Sequence, residues 1–361
     1  MKAGSTNGKR IAIVEWGGSH DECLLSQFMA LRNAGCETWF VSSPELWERN
    51  SRFQEGVNHF YPIEFTKKAI SDFLLVRRLM KWFVEQGIEK VVFNTAQGAH
   101  VRNACFLASS KVEFIGVVHT LNKFTKSFTQ RLIHRKINKY FVLNDYFLDR
   151  ITVPKGLQVR SFYPLRFPSF EREVEKPTGE YWITVIGGVE NRRKDLDGSI
   201  QLMKSLEHLP VRFIFLGKAD YNHSDVRRFR ALLEEEKLSE RTVLFDAFID
   251  EQTYDAYLKK SDFIWPMVHP ETPSAQEYFK NQITGGMNVS FAHRIPMLVH
   301  EAYVKEWKDL AFAFSYSLAT FRSDVERAIQ ERETMRFRMG ECQKFNSEWQ
   351  EEQYVRFIFG A

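Results

Sequence analysis

The sequence predicts an α/β protein made of two Rossmann-like domains in tandem, and three observations favour this fold class. Short apolar segments rich in β-branched residues alternate with amphipathic helical segments along most of the chain. The charged stretch 171–176 and Pro177 interrupt this alternation, which then begins again. The length of 361 residues also suits two domains of ordinary size.

The first half opens as a β–α–β unit, the usual start of a doubly wound sheet. Residues 10–16 are typical of a buried strand that ends at two glycines. A helix is predicted over 22–33, and Gly35 ends it before a strand at 39–42. After an irregular stretch, the remaining predictions for this half are a helix over 67–86 and strands at 89–94, 114–120 and 140–144.

The second half repeats the alternation, starting with a strand over 181–186 and a helix from Asp195. Further strands are predicted at 210–217, 242–246, 262–266 and 296–299, and further helices at 223–237, 250–260 and 285–292. The end of the chain is strongly helical. We therefore predict an N-terminal domain over 1–168, a C-terminal domain over 178–340 and a helical segment over 341–361.

The turn after the strand 181–186 has the local composition of an anion site. Gly187-Gly188 ends the strand, and Arg192, Arg193 and Lys194 precede the next helix. Glycines let a ligand approach the backbone, and helix N-terminal N–H groups and cations attract negative charge. The spacing matches neither the dinucleotide-binding nor the Walker glycine motif, which favours a phosphate ligand held in another way. A plain glycine turn with solvated arginines would show the same pattern.

Composition narrows the class of protein. No apolar run approaches the roughly 18 residues that span a bilayer, and no signal peptide opens the chain. The four cysteines are scattered without C-x-x-C pairs, so neither a zinc site nor a disulfide framework is indicated. These features predict a cytoplasmic protein with reduced thiols.

Charge is sorted between the two halves of the chain. Residues 1–165 contain 23 Lys and Arg against 14 Asp and Glu, whereas the remainder contains 27 against 32. The net charge of +4 therefore divides into about +9 and −5. We expect the two halves to have different partners.

At this point the chain resembles the GT-B glycosyltransferases, most closely family 4, over nearly its whole length. The matching features of the second half are Gly187-Gly188 with Lys194 six residues on, Phe215-Leu-Gly-Lys218, Phe245-Asp-Ala-Phe248, Ile264-Trp-Pro266 and the block 274–299. The first half agrees in Gly17-Gly18, Gly35 and His119-Thr120. The resemblance implies two Rossmann-like domains facing across a cleft, with a C-terminal helix that crosses back to the N-terminal domain.

The resemblance also implies a donor site for a nucleotide-diphosphate sugar. Lys194 matches the family lysine at the diphosphate, whereas the usual arginine after the glycine is Val189 here. Arg193 substitutes for that arginine, and Arg192 fits the spacing equally well. The expected donor-binding residues are Gly17, Gly18, Gly187, Arg193, Lys194, Lys218, Glu277, Thr284, Gly285 and Gly286.

One departure from the family leaves the stereochemistry of transfer open. Retaining members usually carry two glutamates eight positions apart in this block. Glu277 stands where the first is expected, but position 285 is a glycine. Glu277 also fits a solvated helix residue.

His119 is the expected catalytic residue, because it matches the family histidine near the transferred sugar. An imidazole at the end of a buried strand can bind a sugar hydroxyl or act as a general base, since its usual pKa is near neutrality. His20 and His100 follow strands at the same edge and are weaker candidates. Asp21 and Glu22 are alternative bases if the enzyme inverts, although both also suit a helix N-terminus.

No cofactor or metal is expected apart from the donor substrate itself. Asp195 and Asp197 have Asp-x-Asp spacing, but they fall at the start of a predicted helix. Positively charged groups would then stabilise the departing diphosphate. The expectation is a metal-independent transfer.

The stretch Lys123–Lys139 holds six basic residues and no acidic one, with apolar residues interleaved. As one amphipathic helix it would rest on an anionic membrane surface, which suits a lipid-linked acceptor and a position at the inner face of the membrane. A solvated helix packed on the sheet fits equally well. Nucleic acid is not an expected partner, because no recognised binding module accompanies the charge.

Together these observations predict a glycosyltransferase for polysaccharide biosynthesis that moves a hexose-type sugar from a nucleotide sugar to a glycan or lipid-linked glycan. The N-terminal domain would bind the acceptor and the C-terminal domain the donor. A sugar-nucleotide epimerase of similar two-domain build is the alternative enzyme. A catalytically degenerate scaffold protein is the non-enzymatic alternative.

Overall fold

The computed structural model describes residues 6–17, 20–49, 53–304 and 306–360. The chain divides into two compact units. The first comprises Met1–Phe167 and Asn346–Ala361, and the second comprises Pro168–Phe345. Each unit contains its own parallel sheet flanked by helices, so the predicted fold class of two Rossmann-like domains is confirmed.

The sheet of the first unit is doubly wound. Its strands are β1 (Arg10–Glu15), β2 (Glu37–Ser42), β3 (His59–Pro62), β4 (Lys90–Phe93), β5 (Glu113–Val118), β6 (Ile137–Val142) and β7 (Gln158–Ser161). They lie in the order β3-β2-β1-β4-β5-β6-β7, and every pair is parallel. The winding direction therefore reverses between β1 and β4, the place where such sheets bind ligands.

The core strands of this sheet form where the sequence predicts them, and the edge strands do not. In β1, β4 and β5 nearly every side chain is buried, because helices cover both faces of a parallel sheet. The edge strands β3 and β7 are short and half-exposed, and no strand was predicted at either place. Their apolar signal is weak because they have a neighbour on one side only.

The helices of the first unit cover this sheet. They are α1 (Leu24–Asn33), α2 (Pro44–Arg49), α3 (Ala69–Glu85), α4 (Ala99–Leu107), α5 (Leu121–Lys126), α6 (Phe128–Ile133) and α7 (Tyr146–Arg150). The helix expected to begin at residue 22 starts with a 3₁₀ turn at Asp21–Cys23 instead. No helix among the described residues combines the length and apolar character needed to cross a membrane.

The predicted amphipathic helix Lys123–Lys139 is wrong. Ser127 ends α5 in an extended conformation and caps α6 by accepting a hydrogen bond from the Gln130 N–H. From Ile137 the chain is already in β6, which pairs with β5 and buries Ile137 completely. The continuous basic helix face on which membrane contact depended is therefore not formed.

The second unit repeats the architecture with a smaller sheet. Its strands are β8 (Tyr181–Ile186), β9 (Val211–Lys218), β10 (Thr242–Phe245), β11 (Phe263–Ile264), β12 (Met297–His300) and β13 (Ala313–Tyr316). They lie in the order β10-β9-β8-β11-β12-β13, all parallel. The carboxyl end of β8 thus lies beside the point where the winding reverses.

The helices of the second unit are α8 (Leu196–Ser205), α9 (Ser224–Glu235), α10 (Glu251–Lys260), α11 (Ala275–Lys280), α12 (Gly285–His293), α13 (Glu301–Val304) and α14 (Phe321–Glu341). Side chains of Asp195 and Asp250 accept hydrogen bonds from backbone N–H groups of α8 and α10, which explains where those two helices begin.

The last helix, α15 (Ser347–Phe359), packs on α1 and belongs to the first unit. Asn346 caps its N-terminus by accepting a hydrogen bond from the Trp349 N–H. Tyr354 and Ile358 of this helix are buried, and Tyr354 stacks on Phe141 of β6 with ring centroids 4.6 Å apart. The C-terminal helix thereby completes the apolar core of the first unit.

Candidate functional site

In the second unit, the turn that follows β8 is held against the end of β9 by two glycines. Gly187 has φ of +86°, a left-handed conformation that favours glycine. A Cβ on Gly217 would lie 2.3 Å from the carbonyl carbon and oxygen of Gly187. The two backbones can approach this closely only because position 217 has no side chain. We call residues 187–195 the basic turn.

Lys194 is the buried cation of the basic turn, with 5% of its surface exposed. Its Nζ donates a hydrogen bond to the Gly188 carbonyl oxygen (2.9 Å) and lies 3.7 Å from the position of a Cβ on Gly187. Burial lowers its pKa to about 8, Arg193 adds to the effect, and Glu190 opposes it. Among the described residues its ammonium forms no ion pair. Such a group gains most from an incoming anion.

The other basic side chains near this turn are exposed and paired. Arg193 Nε lies 2.9 Å from Glu190 Oε1, and an Arg192 nitrogen lies 3.6 Å from the same oxygen. Lys218 pairs with Asp220 (3.1 Å), while its carbonyl oxygen accepts a hydrogen bond from the Val189 N–H. These arginines are free enough to move towards a ligand, because half or more of each side chain is exposed.

The N-terminus of α12 lies beside the end of β8. A Cβ on Gly286 would lie 3.0 Å from Ile264 Cγ2 and 3.9 Å from Ile186 Cβ, so the helix start packs against both strand ends. A Cβ on Gly285 would meet no atom within 4 Å. The Thr284 hydroxyl is buried and has no hydrogen-bond partner among the described residues. The first N–H groups of α12 therefore lie next to the end of β8, together with the Thr284 hydroxyl.

Helix α11 is tied to the basic turn through its preceding loop. The Ser274 N–H donates a hydrogen bond to the Arg192 carbonyl oxygen (3.2 Å). Glu277 lies on α11 with an exposed side chain that accepts a hydrogen bond from Asn281 (3.3 Å). Tyr278 is half-buried, and burial raises the pKa of its hydroxyl although Arg193 and Arg192 oppose the rise. Tyr278 is therefore a neighbour of the arginines that the sequence did not predict.

A buried hydrogen-bond chain anchors the helix side of the basic turn. Trp265 Nε1 donates to the Tyr316 hydroxyl (2.8 Å), which donates to His269 Nε2 (2.8 Å). His269 Nδ1 donates to Asp195 Oδ2 (2.7 Å), and this bond lowers the pKa of the Asp195 carboxyl. Asp195 also caps α8. Because Asp195 follows Lys194 directly, this series of hydrogen bonds fixes the position of the Lys194 backbone.

In the first unit, polar residues meet where β1, β4 and β5 end. The Glu15 carboxylate accepts hydrogen bonds from the Gly17 N–H (2.6 Å), Asn94 Nδ2 (2.7 Å) and the Thr95 hydroxyl (2.7 Å). Asn94 Nδ2 also donates to the His20 carbonyl oxygen (3.0 Å). We call Glu15, His20, Asn94, Thr95 and His119 the polar cluster. Of the two glycines expected in this loop, Gly17 joins the cluster, and Gly18 lies outside the described residues.

His119 lies inside the polar cluster with a neutral ring. Its Nε2 donates to the Asn94 carbonyl oxygen (2.6 Å), and its Nδ1 is buried without a hydrogen-bond partner among the described residues. Burial lowers the pKa of His119 to about 3, helped by His20 and opposed by the Asn94 carbonyl. The expectation of a near-neutral pKa is therefore wrong. At physiological pH His119 is a hydrogen-bond acceptor and a weak base.

His20 stacks on His119 and has the opposite electrostatic surroundings. The two rings are 3.7 Å apart at 15°, and His20 has a left-handed φ of 66°. Burial lowers the pKa of His20, but Glu22 at 3.5 Å and the charges of Glu15 and Asp21 together raise it above its usual value. His100 instead stacks on Phe65 (3.8 Å). Of the histidines at this edge, His20 is the one suited to carry a proton near neutrality.

Two groups of predicted residues are thus each brought together within one unit. Gly187, Lys194 and Gly286 surround the end of β8, and Gly17, His20 and His119 surround Glu15 and Asn94. Within the described residues, no group of three or more His, Cys, Asp or Glu side chains could hold a metal ion. Asp195 of the Asp-x-Asp pair is a helix cap bound to His269.

The chain has the GT-B fold: it consists of two Rossmann-like domains in tandem. In each domain the candidate site lies at the carboxyl ends of the strands. No protein-family model matches the sequence, and no curated protein matches it significantly.

Solved structures with this fold align along almost the full length of the chain. A glycosyltransferase from Rickettsia africae has a TM-score of 0.70 at 12% identity, covering 98% of both chains. A putative UDP-N-acetylglucosamine 2-epimerase from Listeria monocytogenes has 0.66 at 11% identity, covering 97% of this chain and 96% of that one. Anabaena HepE in complex with UDP and glucose has 0.64 at 11% identity, covering 98% and 100%. The chain is similar to these proteins in fold.

Proposed function

We propose that this protein is a glycosyltransferase that takes a sugar from a nucleoside-diphosphate sugar. The observation that carries the proposal is the unpaired, buried Lys194 ammonium beside the Gly187 backbone. The N-terminus of α12 adds N–H groups at the same strand end. A diphosphate needs this combination of a cation, helix dipole and side-chain-free backbone. The similarity in fold to Anabaena HepE, whose structure contains UDP and glucose, supports the proposal.

We assign the donor to the second unit and the acceptor to the first. In this assignment Lys194, Arg193, Thr284 and the N-terminus of α12 bind the diphosphate, and their charge stabilises it as the sugar departs. The acceptor is a glycan or lipid-linked glycan, and its hydroxyl is placed by the two histidines of the polar cluster. The basic character of the first half suits an acceptor that carries phosphate.

Isothermal titration tests the donor assignment. UDP, GDP and dTDP are titrated into the protein at pH 7, with UMP, GMP, dTMP and inorganic phosphate as controls. We expect one diphosphate to bind in the micromolar range and its monophosphate much more weakly, because the distal phosphate contacts the α12 N-terminus. Equal affinity for the monophosphate and diphosphate of the same base, or no binding at all, would contradict the proposal.

A sugar-nucleotide epimerase is the second candidate, favoured by the shared fold with a putative 2-epimerase and by the buried acid and imidazole groups of the polar cluster. Incubating the bound nucleotide sugar without an acceptor separates the two. An epimerase inverts one sugar carbon under these conditions. A transferase leaves the sugar configuration unchanged.

The two histidines of the polar cluster are assigned different roles. His119 stays neutral across the physiological range, so its free Nδ1 accepts a hydrogen bond from a sugar hydroxyl. His20, backed by Glu22, is the general base that takes the proton from the acceptor hydroxyl. This assignment reverses the expectation that His119 is the stronger base.

The pH dependence of kcat/KM distinguishes these roles. A base must be deprotonated to act, so the wild-type rate is expected to fall as pH drops through the pKa of His20, which is raised above 6.5. His20→Gln should remove this acid limb. His119→Gln should lower kcat/KM about tenfold through a lost hydrogen bond while leaving the limb in place. An acid limb that persists in His20→Gln and vanishes in His119→Gln would reverse the roles.

A further inference from the structure

A chain of buried polar side chains joins the last helix of the protein to the polar cluster. Tyr354 of α15 donates its hydroxyl hydrogen to Gln27 Oε1 (2.9 Å). Gln27 Nε2 donates to Asn94 Oδ1 (2.6 Å), and Asn94 Nδ2 donates to Glu15 Oε2 (2.7 Å). Each of these residues is at most 1% exposed, so water does not compete for the bonds. The four residues form one continuous path through the core of the first unit.

Every link in this path donates in the same direction, towards the Glu15 carboxylate. Aligned hydrogen bonds polarise one another, so the path favours an ionised acceptor at its end. Burial raises the pKa of Glu15, and the bonds from Thr95, Gly17 and Asn94 oppose that rise. A buried carboxylate that accepts three hydrogen bonds is held in one position. The path therefore helps to fix the position of the Glu15 carboxylate.

The far end of the path holds the parts of the site that face a ligand. Glu15 Oε1 accepts from the Gly17 N–H, which sets the start of the glycine loop. Asn94 holds His20 through its side chain and His119 through its carbonyl oxygen. A shift of either Glu15 or Asn94 would therefore move both imidazoles.

We propose that Glu15 is a positioning residue for the sugar-transfer site, and that Tyr354 on the C-terminal helix controls its hydrogen bonding through Gln27 and Asn94. The proposal rests on the proposed function insofar as it assigns transfer chemistry to the polar cluster. Neither residue touches substrate in this scheme. Both act by keeping the glycine loop and the two histidines in place.

Helix α15 does not depend on this path to stay packed on the first unit, because other contacts hold it there. Glu351 accepts hydrogen bonds from Asn33 (2.7 Å) and Arg166 (2.5 Å), and Gln350 Oε1 accepts from the Tyr163 N–H (3.1 Å). The aromatic stack of Tyr354 on Phe141 also survives loss of the hydroxyl. If the Tyr354 hydroxyl only helped α15 to pack, its removal would leave the polar cluster unchanged.

Three variants test the proposal. Tyr354→Phe removes the first donor of the path. Glu15→Gln replaces the final acceptor with an amide, whose NH₂ group must face either the Gly17 N–H or the Asn94 and Thr95 donors. Tyr163→Phe is the matched control, because it removes another buried tyrosine hydroxyl of the same unit. This hydroxyl donates to Asp145 Oδ1 (2.7 Å), which is not part of the path.

Two readouts separate positioning from simple stabilisation. Nitrogen-15 NMR follows the His119 imidazole and the Gly17 amide, and steady-state kinetics gives kcat and KM. We expect Tyr354→Phe to shift both resonances and to lower kcat about fivefold with KM for the donor unchanged. Glu15→Gln should shift them further and lower kcat about tenfold or more. Tyr163→Phe should leave the resonances and kcat as in the wild type.

Unshifted His119 and Gly17 resonances in both Tyr354→Phe and Glu15→Gln would overturn the proposal, as would equal shifts in Tyr163→Phe. If Tyr354→Phe does not fold, Glu15→Gln decides by the same resonances. The NMR readout does not depend on transfer activity. A wild-type protein that binds no nucleotide would therefore contradict the proposed function, while the resonance shifts still decide whether Glu15 positions the cluster.

Discussion

Replacing Lys194 with methionine is expected to weaken nucleoside-diphosphate binding by about 10- to 100-fold and, at the same time, to make the protein more stable. A hydrogen bond to a charged group contributes about 1.5–3 kcal/mol, and 1.4 kcal/mol corresponds to a tenfold change in Kd. The lysine is buried beside backbone carbonyls without a bonded carboxylate, so its charge costs folding free energy. Methionine retains the length of the side chain and removes that cost.

The size of the stability change depends on pH. The pKa of Lys194 is about 8 when folded and 10.5 ordinarily, so the folded state disfavours the charged form. The cost is fully present below pH 8 and fades as pH rises towards 10.5. We therefore expect Lys194→Met to have a higher melting temperature than the wild type at pH 7. The free energy of unfolding should be larger by roughly 1–2 kcal/mol. At pH 10 the two melting curves should approach each other.

Lys204→Met is the matched control for both measurements. Lys204 is an exposed lysine of the helix that follows the basic turn, and it pairs with Glu236 on the surface. Its loss should leave both the affinity for the diphosphate and the stability close to those of the wild type, because exposed ion pairs contribute little. Unaltered diphosphate affinity in Lys194→Met would remove the main donor-site assignment.

The substitution Gly217→Ala is expected to have the second-largest effect. The new Cβ would lie 2.3 Å from the Gly187 carbonyl carbon and oxygen, so the end of β9 must separate from the basic turn. Overpacking of this kind costs about 1–3 kcal/mol, and backbone on both sides leaves no flexible side chain to give way. We expect a value near the upper limit, together with loss of diphosphate binding, because Gly187 moves away from Lys194.

Urea unfolding and titration of the diphosphate measure both parts of this effect. Gly188→Ala serves as the control, since the nearest atom to its Cβ would be the Lys218 carbonyl oxygen at an ordinary 3.8 Å. Its stability should stay within about 1 kcal/mol of the wild type. Equal stability of the two alanine variants would show that β9 does not press on the turn as described.

The fold was predictable because its signals are local. A buried parallel strand such as β1 or β5 carries an apolar run, and glycines punctuate the helices between strands. Three edge strands, β3, β7 and β13, escaped prediction because they are short and half-exposed, whereas the edge strand β10 was predicted from its Val-Leu-Phe run. The basic run 123–139 was wrongly predicted to be one helix. Its apolar residues have helical spacing and form the two short helices α5 and α6, but the end of the run pairs with β5 as part of β6.

The candidate site was predictable only in part. The basic turn lies within nine consecutive residues, so the spacing of Gly187 and Lys194 was enough to point to it. The bonds of Glu15 to Asn94 and of Asp195 to His269 span 79 and 74 positions, and no sequence pattern links such pairs. The pKa of His119 was misjudged because burial and a stacked neighbouring ring, not residue type, determine it.

The return of α15 to the first unit has a consequence for biosynthesis. Residues 1–167 leave the ribosome long before 346–361, so the earlier segment must wait for the whole second unit to be translated before Gln27 and Arg166 meet their C-terminal partners. The first unit therefore reaches its native state only after synthesis of the segment 346–361, to which α15 belongs.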